Sequence, residues 1–200
     1  MVHLIPNILT FGRFVLTVIF IAMLLYSPQV ENKSTFLTVA FVIFVVAGLT
    51  DIIDGRVARK YNVTTKFGRM VDPLADKILV CGSFISFAMI GQPKLYDLSP
   101  AHLAVIHWSV AAVLIAREAY VTVLRHLAEA RGINFAATVS GKIKMFLQSF
   151  AIGTVVIKMA HVPTATWASC FTSTVFIIML LVTVISGIRA TKRRIRKETS

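Results

Sequence analysis

The stretch DIIDGRVARKYNVTTKFGRMVDPLAD, residues 51–76, carries four carboxylates: Asp51, Asp54, Asp72 and Asp76. It lies between FLTVAFVIFVVAGLT (36–50) and KILVCGSFISFAMI (77–90), so each acidic pair adjoins or enters an apolar run able to cross a bilayer. These four are drawn from only nine acidic residues in the chain. An acidic residue at the centre of a membrane helix costs about 2.5–3.5 kcal/mol on insertion scales, and less near the interface. Four together are hard to retain unless a high positive charge sits among them. Two divalent cations would supply it.

Working outward, the pattern is that of a polytopic membrane protein. Of 200 residues 56% are hydrophobic, and the mean hydropathy is +0.78. Apolar stretches of about 20 residues occupy 8–26, 35–53, 71–90, 101–124, 136–159 and 165–188. The expected fold is all-α, with six transmembrane helices in one domain, residues 1–200. Pro6-Asn7 marks a helix start, and Thr10, Gly12 and Arg13 follow at once. This opening segment is expected along the interface, with Arg13 snorkelling to headgroups. With no charged leader and no cleavage site, 8–26 reads as a retained helix.

Charge fixes the expected topology. Segments 55–70 and 117–145 and the tail after 188 hold sixteen basic residues, and the opposite connections hold three, Lys33, Lys94 and Lys158. The positive-inside rule then places both termini and both basic loops in the cytoplasm, across an inner (plasma) membrane. The net charge of +12 follows this topology, and no nucleic-acid motif accompanies it. Cys81 and Cys170 lie in apolar runs without metal-ligand spacing and read as small core residues. His102, His107 and His161 fall at the outer side as interfacial residues, and His3 and His126 have no second ligand at useful spacing.

On helices, Asp51 and Asp54 share a face about 60° wide, and Asp72 and Asp76 one about 40° wide. A short loop between spans two and three makes antiparallel neighbours of them, so the four carboxylates are expected to converge at the cytoplasmic boundary. Hard oxygen ligands of this kind suit magnesium or manganese, which also pair with substrate phosphates. Gly55 and Gly68 permit close approach of a ligand. Arg59, Lys60 and Lys66 supply cations where a phosphate-bearing ligand would lie.

Asp51-x-x-Asp54-Gly55-x-x-Ala58-Arg59, eight residues, then Gly68-x-x-x-Asp72-x-x-x-Asp76 resembles, at every specified position, the signature of the CDP-alcohol phosphotransferase family. The six-span layout matches as well. The resemblance implies two divalent metals, Mg2+ or Mn2+, on the four aspartates, with Asp76 also the general base. It implies that Asp51, Gly55, Ala58, Arg59 and Gly68 contact the CDP part of a CDP-linked lipid. The implied reaction is attack of an acceptor hydroxyl on the lipid-side phosphorus, with CMP leaving. A homodimer is also implied.

The second basic loop bears on the acceptor. Arg117 and Arg125 lie within about 80° of each other on a helix, and Lys142 and Lys144 open the next span. Together they can form an anion pocket, although Arg117 can instead pair with Glu118 or a neighbouring helix. The segments around Ile5, Asp72 to Lys77, Arg117-Glu118 and Gly141-Lys142-x-Lys144 resemble the bacterial branch that uses CDP-diacylglycerol and glycerol 3-phosphate. Met145 departs from that branch, where a small polar residue is expected. A CDP-lipid-dependent cardiolipin synthase and a phosphatidylinositol phosphate synthase remain alternatives within this chemistry. A divalent-cation transporter is the alternative of a different class; it requires acids spread along a route, whereas these cluster at one end.

Overall fold

A computed structural model of the chain describes residues 4–61, 66–131 and 139–198, and the side chains of 10–50, 74–128, 130–131 and 141–192. Six helices follow one another: α1 Leu4–Tyr26, α2 Lys33–Tyr61, α3 Lys66–Met89, α4 Pro100–Ala130, α5 Val139–His161 and α6 Thr166–Glu198. No strand occurs among the described residues.

Local chemistry sets the ends of these helices. Asn32 caps α2, its Oδ1 accepting from the Thr35 amide at 3.3 Å. Pro100 opens α4 where its missing amide costs nothing, and Ser99 Oγ accepts from the His102 amide at 3.4 Å. After α3 the chain turns at Gly91, whose φ of +64° favours glycine.

Among the described residues five helices are long and apolar enough to cross a membrane. The sixth, α3, has 24 residues and packs between α1 and α4. The protein is a multi-pass membrane protein. Helix α1 runs unbroken from Leu4 to Tyr26, so the segment expected along the interface and the first span belong to one helix.

The helices close into a ring in the order α1, α2, α5, α6, α4, α3, and α3 also touches α5 across the interior. Phe20 of α1 meets Phe44 of α2 with ring centroids 5.2 Å apart, and Phe84 of α3 meets Phe176 of α6 at 5.9 Å. Leu24, Leu37, Leu114, Ile152, Val155 and Met179 fill the buried centre. Phe11, Val42, Phe146, Ile177 and Leu181 face outward, as lipid-facing side chains do.

Helix α1 packs against both α2 and α3, and its approach to α3 is close: a Cβ added at Gly82 would stand 2.6 Å from Ile21 Cδ1. The expected meeting of α2 and α3 at the signature falls on 51–73, whose side chains lie outside the described residues. Two expectations are corrected. Cys170 is exposed and only Cys81 is partly buried; a membrane helix is apolar on its lipid face too, so apolar flanks do not mark the interior. His107 is buried rather than interfacial, and its Nε2 lies 3.1 Å from the Pro93 carbonyl oxygen.

Candidate functional site

Asp76 is the motif aspartate whose side chain is described. It stands one-third exposed on the first part of α3, and Arg13 Nη1 of α1 donates to its Oδ1 at 3.2 Å. Arg13 is only 2% exposed. The expected snorkelling is therefore corrected: α1 is wedged between α2 and α3, so Arg13 turns inward to a carboxylate. A guanidinium this buried is tolerated where it is paired. Thr17 Oγ1 donates to the Arg13 carbonyl oxygen at 2.9 Å, bonding the next turn of α1 back onto this one.

A second polar cluster joins α4, α5 and α6. Glu118 Oε1 accepts from Arg117 Nη1 at 3.1 Å and also from Lys144 Nζ. Arg117 Nη2 donates to Ser186 Oγ. The three charged side chains are largely buried, at 13%, 14% and 7% exposure for Arg117, Glu118 and Lys144. One carboxylate thus holds two cations, and the triad keeps a net charge of +1. A Cβ at Gly187 would stand 3.5 Å from Arg117 Cγ, so α6 passes close beside the arginine stem.

Helices α4 and α5, which carry the triad, both pack against α3, the helix of Asp76. One turn along from the triad lie Gln148 on α5 and Thr183 on α6, both buried, with Gln148 Nε2 and Thr183 Oγ1 lacking a protein partner.

The basic residues expected to form an anion pocket divide in two. Arg117 and Lys144 point inward to Glu118, and Arg125 and Lys142 are exposed. Lys142 and Lys144 are two residues apart, about 200° around a helix, so they cannot share a face. The pairing of Arg117 with Glu118 and with a neighbouring helix was among the sequence alternatives and is the one found; that Glu118 also holds Lys144 was missed, and Arg13 was misread. Glu118 is one of nine acidic residues and sits inside the fourth apolar stretch, which was the available signal.

The side chains of Asp51, Asp54, Gly55, Ala58, Arg59, Gly68 and Asp72 lie outside the described residues, and with them the expected carboxylate convergence. Among the described residues no three metal-ligating side chains gather. The donor chemistry of Asp76, an accessible hard carboxylate four residues after another aspartate, fits a divalent ion.

The chain belongs to the CDP-alcohol phosphatidyltransferase family, whose model matches residues 3–188. Among its relatives is a probable phosphatidylglycerophosphate synthase of Mycobacterium tuberculosis (strain ATCC 25618 / H37Rv). It is 34% identical over 193 residues, covering 95% of this chain and 81% of the relative. The CDP-diacylglycerol–glycerol-3-phosphate 3-phosphatidyltransferase of Bacillus subtilis (strain 168) is 37% identical over 155 residues, 74% of this chain and 73% of that one. The Escherichia coli (strain K12) protein of the same name is 34% identical over 153 residues, 74% of each.

Proposed function

We propose that this protein is a phosphatidylglycerophosphate synthase: it transfers a phosphatidyl group from CDP-diacylglycerol to glycerol 3-phosphate, giving phosphatidylglycerol phosphate and CMP. The observation that carries this reading is the agreement of relatives at 34–37% identity, each spanning about three-quarters or more of the chain, on one named activity. The intact signature at 51–76 supports the same chemistry.

In this reading Asp51, Asp54, Asp72 and Asp76 hold two divalent cations, Mg2+ or Mn2+. Such ions supply neutralisation of the pyrophosphate and of the leaving CMP. Gly55, Ala58, Arg59 and Gly68, with Asp51, receive the CDP moiety. Asp76 takes the proton from the acceptor hydroxyl. Arg13 orients the Asp76 carboxylate at the α1–α3 contact.

Arg125 and Lys142, both exposed, reach the phosphate of glycerol 3-phosphate directly. Arg117 and Lys144 contribute the residual +1 of their triad from behind, fixed in place by Glu118. Preorganised cations of this kind bind a dianion without reordering long side chains. The reaction faces the cytoplasm at the inner membrane, with both termini on that side, and the protein acts as a homodimer.

The test is a panel of acceptors offered to purified protein with CDP-diacylglycerol and magnesium. Glycerol 3-phosphate should give CMP release, and phosphatidylglycerol and inositol phosphate should not. Indifference to glycerol 3-phosphate would overturn the acceptor. Undiminished activity after chelation would overturn the metal assignment.

A further inference from the structure

At the end of the bundle opposite the signature, α2, α5 and α6 enclose a cavity of about 390 Å³. Its walls are almost wholly apolar and include Phe41, Phe44, Phe150 and Trp167. Gly153 lies on its floor, where a Cβ would come within 3.2 Å of the Phe41 ring. The lining on α5 runs from Ser149 to Lys158, and Val162 follows just past the helix end. Thirteen residues of rise from 149 to 162 make about 20 Å, a little more than the roughly 15 Å of one leaflet's hydrocarbon.

Lys158 closes this space at its outer end. It is 2% exposed, and its Nζ makes one hydrogen bond, to the Pro163 carbonyl oxygen at 2.9 Å. Among the described residues no carboxylate lies within ion-pair distance of it. An ammonium has three donors, so two are left for a ligand. Holding the carbonyl of the turn that follows α5 accounts for one of them. It does not account for burying a cation without a counter-charge beside an apolar slot, an arrangement that is expensive unless something anionic completes it.

We propose that this cavity is a binding site for an anionic glycerophospholipid of the surrounding bilayer, with its phosphate on Lys158 and an acyl chain between the phenylalanines. The charge selects the head group and the apolar walls select the tail. A leaflet's depth of groove matches a chain that enters from the lipid beside it. Trp167, 68% exposed at the first turn of α6, stands at the entrance, where amphipathic rings favour the interface. The site lies on the far end of α5 from Lys144 and takes no part in the transfer reaction, so it stands or falls independently of the acceptor assignment.

Trp108 and Trp167 are the two tryptophans of the chain. Trp108→Phe therefore leaves Trp167 as a single reporter. In vesicles of mixed composition, phosphatidylglycerol brominated on its acyl chains should quench Trp167 with an association about five-fold stronger than brominated phosphatidylcholine. Lys158→Gln should remove that preference, and Lys158→Arg should keep it. Lys33→Gln, an exposed cation at the same end but outside the cavity, should leave it unchanged. Retained transferase activity serves as the folding control for each variant.

Native mass spectrometry of the unsubstituted protein, released from the same vesicles, should show a retained phosphatidylglycerol in preference to phosphatidylcholine. Equal quenching by the two lipids, or a preference that survives Lys158→Gln or is lost with Lys33→Gln, would overturn the site. So would loss of all lipid quenching together with a cross-linked pair of chains through this face, which would give the groove to a second copy.

Discussion

Glu118→Gln removes the one carboxylate shared by Arg117 and Lys144 and leaves two cations largely buried with no opposing charge. Removing one partner of a buried ion pair costs about 3–5 kcal/mol, mostly through the charge left behind. Lys144→Met is a different perturbation. It removes one cation, and Glu118 keeps Arg117 at 3.1 Å, which also holds Ser186. The triad then becomes a neutral pair, and a flexible apolar side chain replaces the lysine stem. Its expected cost is about 1 kcal/mol or less. The two substitutions should therefore differ by at least about 2 kcal/mol, although they break the same Lys144–Glu118 contact. For a chain of this size that is a separation of about 4–8 °C in Tm.

The assay is thermal unfolding of the purified variants in one detergent, followed by intrinsic fluorescence. The double variant Glu118→Gln with Lys144→Met should recover part of the Glu118→Gln loss, since only Arg117 then lacks a counter-ion. If Lys144→Met is as destabilising as Glu118→Gln, or the double variant is the sum of the two, the triad is not an electrostatic unit and the reasoning fails.

Three further outcomes are expected. Asp76→Asn should abolish turnover yet retain appreciable CDP-lipid binding, and Arg13→Gln should lower kcat at least ten-fold with a smaller change in KM, with Arg13→Lys intermediate; full activity of Asp76→Asn in the CMP-release assay would refute the base. Arg125→Ala and Lys142→Ala should each raise the KM for glycerol 3-phosphate several-fold more than that for CDP-diacylglycerol, and an equal loss for both substrates would argue against a phosphate contact. Gly82→Val should cost about 1–3 kcal/mol because its Cβ would overlap Ile21 Cδ1, and Ile21→Ala should restore most of the melting temperature; no recovery would place the clash elsewhere.

Much of the molecule was legible from its residues. Apolar length and turn residues located all six helices, because a bilayer imposes a minimum run of about 20 residues and forbids unpaired backbone between its faces. The signature at 51–76 identified the family, since carboxylates near a membrane are retained for a reason and their spacing here is distinctive. What composition could not show was which side of a helix faces protein. In a soluble domain the polar face marks the outside. In a membrane both faces are apolar, so Cys170 reads like a core residue and is exposed.

Taken alone, then, the sequence determined that the chain is helical, membrane-crossing and built around a carboxylate signature, since these depend on local run length and on residue identity at fixed intervals. Tertiary structure decided who meets whom. It set α1 between α2 and α3, turned Arg13 from the headgroups to Asp76, and split four basic residues into an inward pair on Glu118 and an outward pair. Helix order around a ring and the rotation of each helix about its axis are settled by packing between segments far apart in the chain, as when Ile21 seats over Gly82, and no local pattern encodes them.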